Sequence, residues 1–190
     1  MQVRPGEIVA MLGRNGSGKT TLLRVIATTL RPTRGAGTVY GNDLVKEADD
    51  VRACVGVLGH HSGLYDDLTA SENLQFATRM SGMRVAREVI QQALNEVSLG
   101  DEAKARVRGF SAGMRRRLAL ARLLLRPPRL MLLDEPYASF DQHGIDFVNE
   151  FVIKTAANGG AAIIVTHDPA RVAEISHRMV RIVDGRIEDA

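Results

Sequence analysis

Residues 7–20 read EIVAMLGRNGSGKT, an apolar run that breaks into a glycine-rich loop ending in Lys19 and Thr20. The unbroken hydrophobicity of the run predicts a strand buried on both faces. After Gly18 the chain carries Leu22, Ile26 and Leu30 at helical spacing until Pro32 stops it. Strand, loop and helix in that order give the pattern G-x-x-x-x-G-K-[ST] its physical meaning. Glycines at 13, 16 and 18 let successive backbone N–H groups converge on one anion, and the helix that follows adds its positive end. The expected phosphate cradle is therefore Gly13, Arg14, Asn15, Gly16, Ser17, Gly18, Lys19, Thr20 and Thr21. Lys19 places a point charge on the β- and γ-phosphates, and the Thr20 hydroxyl can ligate Mg²⁺. The four fixed positions coincide by chance on the order of once per hundred chains of this length, so an MgATP or MgGTP site is expected.

Outward from the cradle, short apolar runs alternate with longer amphipathic segments, the pattern of a parallel α/β sheet. Strands are expected at 38–40, 51–58, 129–133 and 161–166, and through MVRIV up to the turn at Asp184 and Gly185. Thr69, with Glu72 three residues on, forms a capping box for a helix to about residue 80. A second helix carries Val85, Val89, Ala93 and Val97, and a third runs from just after Ser111 to 126, where Pro127 and Pro128 end it. No strand is expected over 68–114, which reads as a helical subdomain inserted into a core made by 1–67 and 115–190, within a single domain 1–190. A later helix carries Ile145, Val148 and Val152, and a short one Val172 and Ile175.

Composition bounds the function. The 190 residues are 45% hydrophobic and 25% charged, ordinary for a globular protein. A net charge of +3 does not demand a nucleic-acid partner. Arg115, Arg116 and Arg117 point in three directions on a helix, and the few aromatics are not interleaved with basic residues, so no nucleic acid is expected. No run approaches the roughly eighteen apolar residues of a membrane span. Cys54 is the single cysteine and has no internal disulfide partner.

A second chemical signal lies at Asp134-Glu135-Pro136, directly after the apolar run 130–133. The carboxyl ends of parallel strands are where α/β sheets carry their chemistry. Asp134 suits Mg²⁺, and Glu135 could polarise the water that attacks the γ-phosphate. His167 follows the next buried strand and ends on the same edge, which favours a γ-phosphate contact.

With these pieces in place, the sequence resembles the ABC ATPase family over essentially its whole length. The stretch FSAGMRRRLALARLLL (110–125) resembles the family's signature motif and the helix it opens. The resemblance implies that Ser111 and Gly113 contact ATP held by a second protomer, so that the ATP-bound form is a homodimer or heterodimer. Asp141 resembles the loop that communicates between paired sites, and His167 the switch histidine. The segment 59–74 resembles the γ-phosphate sensor region, with His60 or His61 standing where glutamine is usual. Its wording is most similar to the branch serving haem export in cytochrome c maturation. The resemblance implies an α/β P-loop fold of three layers with an inserted helical subdomain. It further implies ATP hydrolysis with ATP and Mg²⁺ as cofactors, a transmembrane permease as partner, and a place on the cytoplasmic face of the membrane. The cargo is haem on this reading, and a generic drug or lipid exporter is the alternative. Ala112 and Met114 depart from the signature's usual glycine and glutamine. The family's N-terminal β segment, with an aromatic residue that stacks on adenine, is missing ahead of Gly13. A soluble ABC ATPase for DNA or translation would need long coiled coils or a second cassette, and a Ras-type GTPase an N-K-x-D motif; neither is in the sequence.

Overall fold

The computed structural model describes residues 1–59, 63–138 and 140–190. They fall into two compact units, one of Met1–His60, Pro128–Tyr137 and Ile145–Ala190, the other of His61–Pro127 and Ala138–Gly144.

The first unit is built on a sheet whose strands are β1 (Ile8–Gly13), β4 (Val55–Leu58), β5 (Leu130–Asp134), β6 (Ala161–Val165), β7 (Arg178–Val183) and β8 (Arg186–Asp189). A two-stranded ribbon, β2 (Thr38–Val39) with β3 (Asn42–Asp43), stands apart. The sheet order is β4-β5-β6-β1-β7-β8, parallel throughout except for the antiparallel β7–β8 pair. Every residue of β5 and β6 is buried, as unbroken apolar strands covered on both faces must be. One face contributes Val9, Met11, Leu132, Ile163, Val180 and Ile182 to a core shared with Leu23 of helix α1 (Lys19–Ile26) and with Ala27, the residue that caps its end. Alternate residues Ala10, Met131, Leu133 and Ile164 are fully buried on the other. Helix α6 (Gln142–Ala157) buries Val148, Phe151 and Val152 along one stripe.

Register places the chemistry. Asp134 pairs with Val165, Val165 with Met11, and Gly13 with Ile182. The carboxyl ends of β5, β6 and β1 are thereby level, with β6 between the other two.

Three local expectations change, the first being that α1 ends at Ile26 and does not carry on through Leu30. Residues 51–54 are not strand but the end of helix α2 (Ala48–Cys54), and only Val55–Leu58 form β4. Asp49 and Asp50 in the first turn favour a helix N-terminus, and Val51 is its buried residue. The short helix near Val172 is a single 3₁₀ turn, Pro169–Arg171, with Asp168 as its cap.

The second unit is helical. Helices α3 (Ala70–Met80), α4 (Arg87–Glu96) and α5 (Ala112–Leu125) pack on one another. Thr69 and Glu72 form the reciprocal capping box of α3. The whole of α5 belongs to this unit, so the chain returns to the first unit at Pro128 rather than at 115. Its apolar residues Leu118, Ala119 and Leu123 are buried and draw it onto α3 and α4. Among the described residues no helix is long and apolar enough to cross a membrane.

The interior strand β5, between β4 and β6, sets stability. Leu132 is fully buried in β5, so Leu132→Ala should cost about 2–5 kcal/mol. Urea unfolding followed by circular dichroism measures this, and a loss below about 1 kcal/mol would contradict the packing described.

Candidate functional site

The loop after β1 folds back on itself to make the cradle. Gly13 leaves the strand at φ +154°, and a Cβ there would lie 2.7 Å from Ser17 Oγ and 3.1 Å from the Ile182 carbonyl oxygen. Gly18, at φ +99°, caps α1 in a left-handed conformation that costs glycine nothing. The Ser17 N–H donates to the Arg14 carbonyl at 3.1 Å and closes the turn at the tip. Lys19 is buried, and its Nζ donates to the carbonyl oxygens of Gly13 (2.7 Å) and Arg14 (2.9 Å). A buried ammonium held only by two loop carbonyls retains a third N–H for an anion. Thr21 sits exposed in the first turn of α1, and Arg14, Asn15 and Gly16 form the exposed tip.

Across from the loop, Thr20 Oγ1 donates to Asp134 Oδ2 at 2.7 Å, and Asp134 is 95% buried by its 5% exposure. Glu135 follows with φ +50°, a left-handed conformation that costs a non-glycine residue on the order of 1–3 kcal/mol. Its N–H is held by the Val165 carbonyl at 2.9 Å. The strain turns its carboxylate toward His167, whose Nδ1 lies 2.9 Å from Oε2. An ionised carboxylate only accepts, so Nδ1 carries the proton. The buried Thr166 hydroxyl makes a long 3.4 Å hydrogen bond to the same oxygen. Sequence reading missed Thr166; its position just before His167 in VTHDP was the available signal. A cleft of about 980 Å³ runs along the outer side of the loop and is lined by Arg14, Ser17, Thr166, His167, Arg181 and Asp184 among others.

The first unit thus brings Lys19, Thr20, Asp134, Glu135 and His167 to one sheet edge. Ser111, Gly113 and Asp141 lie in the second unit. Ser111 Oγ accepts the Met114 N–H at 3.2 Å and caps α5, with Gly113 in the helix's first turn. Asp141 accepts the Gly144 N–H at 2.9 Å, which lowers its pKa from the usual carboxylate value, helped by Arg117 at 3.4 Å. His60 and His61 lie outside the described residues.

No group of three or more His, Cys, Asp or Glu side chains converges as a metal cage among the described residues. A Thr hydroxyl beside a single buried carboxylate instead fits Mg²⁺, a hard cation that keeps several waters and takes its other oxygens from phosphates.

The profile of the ABC transporter family matches residues 1–138. The chain is 40% identical over 167 residues to the cytochrome c biogenesis ATP-binding export protein CcmA 2 of Cupriavidus metallidurans, covering 88% of this chain and 79% of that protein. It is 36% identical over 192 residues to the ABC transporter ATP-binding protein NatA of Bacillus subtilis, covering 98% and 77%. The dimeric post-hydrolysis structure of the ATP-binding cassette MJ0796 bound to ADP and Pi superposes with a TM-score of 0.87 at 26% identity, covering 100% of this chain and 88% of the other.

Among the loop glycines 13, 16 and 18, space is scarcest at Gly13. Gly13→Ala forces its Cβ against Ser17 and Ile182, and the loop must move to relieve an overpacking of about 1–3 kcal/mol. Nucleotide affinity, measured with a fluorescent ATP analogue, should fall roughly tenfold or more. Unchanged affinity would mean that the loop does not hold the phosphates in this shape.

Proposed function

The chain belongs to the ABC transporter family, and on that premise we propose that it is the motor of a haem exporter, working through a transmembrane permease at the cytoplasmic face of the membrane. As an ABC transporter ATP-binding subunit it binds and hydrolyses ATP. The observation that carries the mechanism is the alignment of cradle, Asp134, Glu135 and His167 on one edge.

In this reading the loop N–H groups and Lys19 hold the triphosphate, and the Lys19 ammonium meets the β- and γ-phosphates with the proton it leaves free. Thr20 and Asp134 would hold Mg²⁺, which when bound neutralises charge on the phosphates. Glu135 orients the attacking water and accepts its hydrogen bond. His167, exposed beside Glu135, fixes the carboxylate and presents its remaining nitrogen toward the γ-phosphate end. Ser111 and Gly113 offer the N-terminus of α5 to the nucleotide of a second copy, so two chains close on two ATP molecules. Asp141 takes the part of the loop that communicates between paired sites, and His60 or His61 fills the sensor role. Departure of the γ-phosphate removes the shared ligand and lets the dimer open, which is how hydrolysis moves the permease.

Haem as cargo is supported by the 40% identity to a cytochrome c biogenesis export protein, against 36% for NatA. The test is to isolate the integral membrane protein that co-purifies with the chain and to reconstitute both in vesicles. ATP turnover should rise when haem is supplied, and Glu135→Gln should abolish turnover while preserving ATP binding and trapping a dimer. Turnover indifferent to haem but raised by amphipathic drugs would move the cargo to the drug-export alternative. Parental turnover in Glu135→Gln would remove Glu135 from the mechanism.

A further inference from the structure

The tip of the cradle carries an arginine that backbone binding leaves unexplained. Arg14 follows Gly13 directly and is held twice through its own carbonyl, by the Ser17 N–H at 3.1 Å and by Lys19 Nζ at 2.9 Å. The second bond fixes the Arg14 backbone beside the ammonium assigned above to the β- and γ-phosphates. Arg14 is exposed, and no hydrogen bond or ion pair engages its guanidinium among the described residues. Two other arginines of this unit are tied down, Arg171 to Asp168 at 3.0 Å and Arg178 to Glu7 at 2.6 Å. Arg14 instead lines the same cleft as Thr166 and His167, the two side chains that hold the Glu135 carboxylate.

Charge explains what a guanidinium does there. The site presents two carboxylates, Asp134 and Glu135, and one buried cation, Lys19. A γ-phosphoryl group leaving the β-phosphate spreads its negative charge over three oxygens, which takes several donors beyond the Lys19 ammonium to meet. A planar fork of N–H donors matches phosphoryl oxygens in pairs, which a point charge does not. We propose that Arg14 is a catalytic residue whose side chain hydrogen-bonds the γ-phosphoryl oxygens during hydrolysis, supplied by the same chain that holds the nucleotide. The water oxygen bonds to phosphorus as the bridging P–O bond breaks. The electron pair of that bond leaves with ADP, and the water proton ends on the released phosphate or in solvent. This role rests on the ATPase reading above and assigns it a further charge-stabilising group.

The experiment compares Arg14→Ala and Arg14→Lys with the parent chain. Steady-state turnover, ADP and ATP affinity, and capture of ADP with vanadate are measured for each, with thermal melting to confirm folding. Turnover by the parent is read first, because its absence would overturn the ATPase reading itself. The expected result for Arg14→Ala is a fall in kcat of about 100-fold. ADP affinity should be unchanged, and vanadate capture should be lost in step with kcat. Arg14→Lys should recover part of both. Unchanged kcat in Arg14→Ala would make Arg14 a solvated surface residue and overturn the proposal. A parallel fall in ATP and ADP affinity with kcat intact would also overturn it, by reducing Arg14 to general attraction of phosphate.

Discussion

A single hydrogen bond, from Thr20 Oγ1 to Asp134 Oδ2 across 2.7 Å, joins the glycine-rich loop to the end of strand β5. Everything else at the site depends on it. Thr20 opens α1 and Asp134 closes β5, which are not neighbours: β6 lies between β5 and β1. Adjacent strands stand about 4.8 Å apart, so the loop reaches across roughly two spacings. The residues that leave β6, Thr166 and His167, are delivered into that gap. Burial then makes the arrangement exacting, because Lys19 and Asp134 are 8% and 5% exposed and an uncompensated charge there would cost several kcal/mol. The loop carbonyls and the Thr20 hydroxyl provide that compensation, and each can be exchanged for phosphate or cation.

Glu135 shows the same economy from the other side. A residue following a buried strand would continue extended, but its left-handed conformation turns the carboxylate onto the edge. The Val165 carbonyl keeps its backbone tied to β6, while His167 and Thr166 hold its side chain. Strain of this kind persists only where surrounding contacts over-determine it. Here the contacts come from β6, the strand next door, so Glu135 and the groups that hold it form one connected unit.

The shape of the loop was legible because glycines at 13, 16 and 18 mark a chain that turns through positive φ, as it does at all three. Asp134 and Glu135 were legible because an unbroken apolar run marks a buried strand and charges mark its exit. The capping box at Thr69 and Glu72 was equally plain, being a purely local signal. Residues 51–54 were not, since one buried valine fits a helix face as well as a strand and the acidic first turn decided it. Thr166 was marked only by its place before His167, because its contact is to Glu135, 31 positions away. The reach of the helical unit to Pro127 was hidden too, as the stripe of α5 does not declare which unit it covers.

The most direct measurement is the Mg²⁺ dependence of nucleotide binding in the parent and in Asp134→Asn. Asparagine keeps an oxygen for the Thr20 hydroxyl but removes the charge that attracts the cation. The parent should gain ATP affinity on addition of Mg²⁺, and Asp134→Asn should match it without Mg²⁺ and lose the gain. An equal Mg²⁺ increment in the two proteins would contradict the assignment of the Thr20–Asp134 pair as the place where the cradle meets its cation.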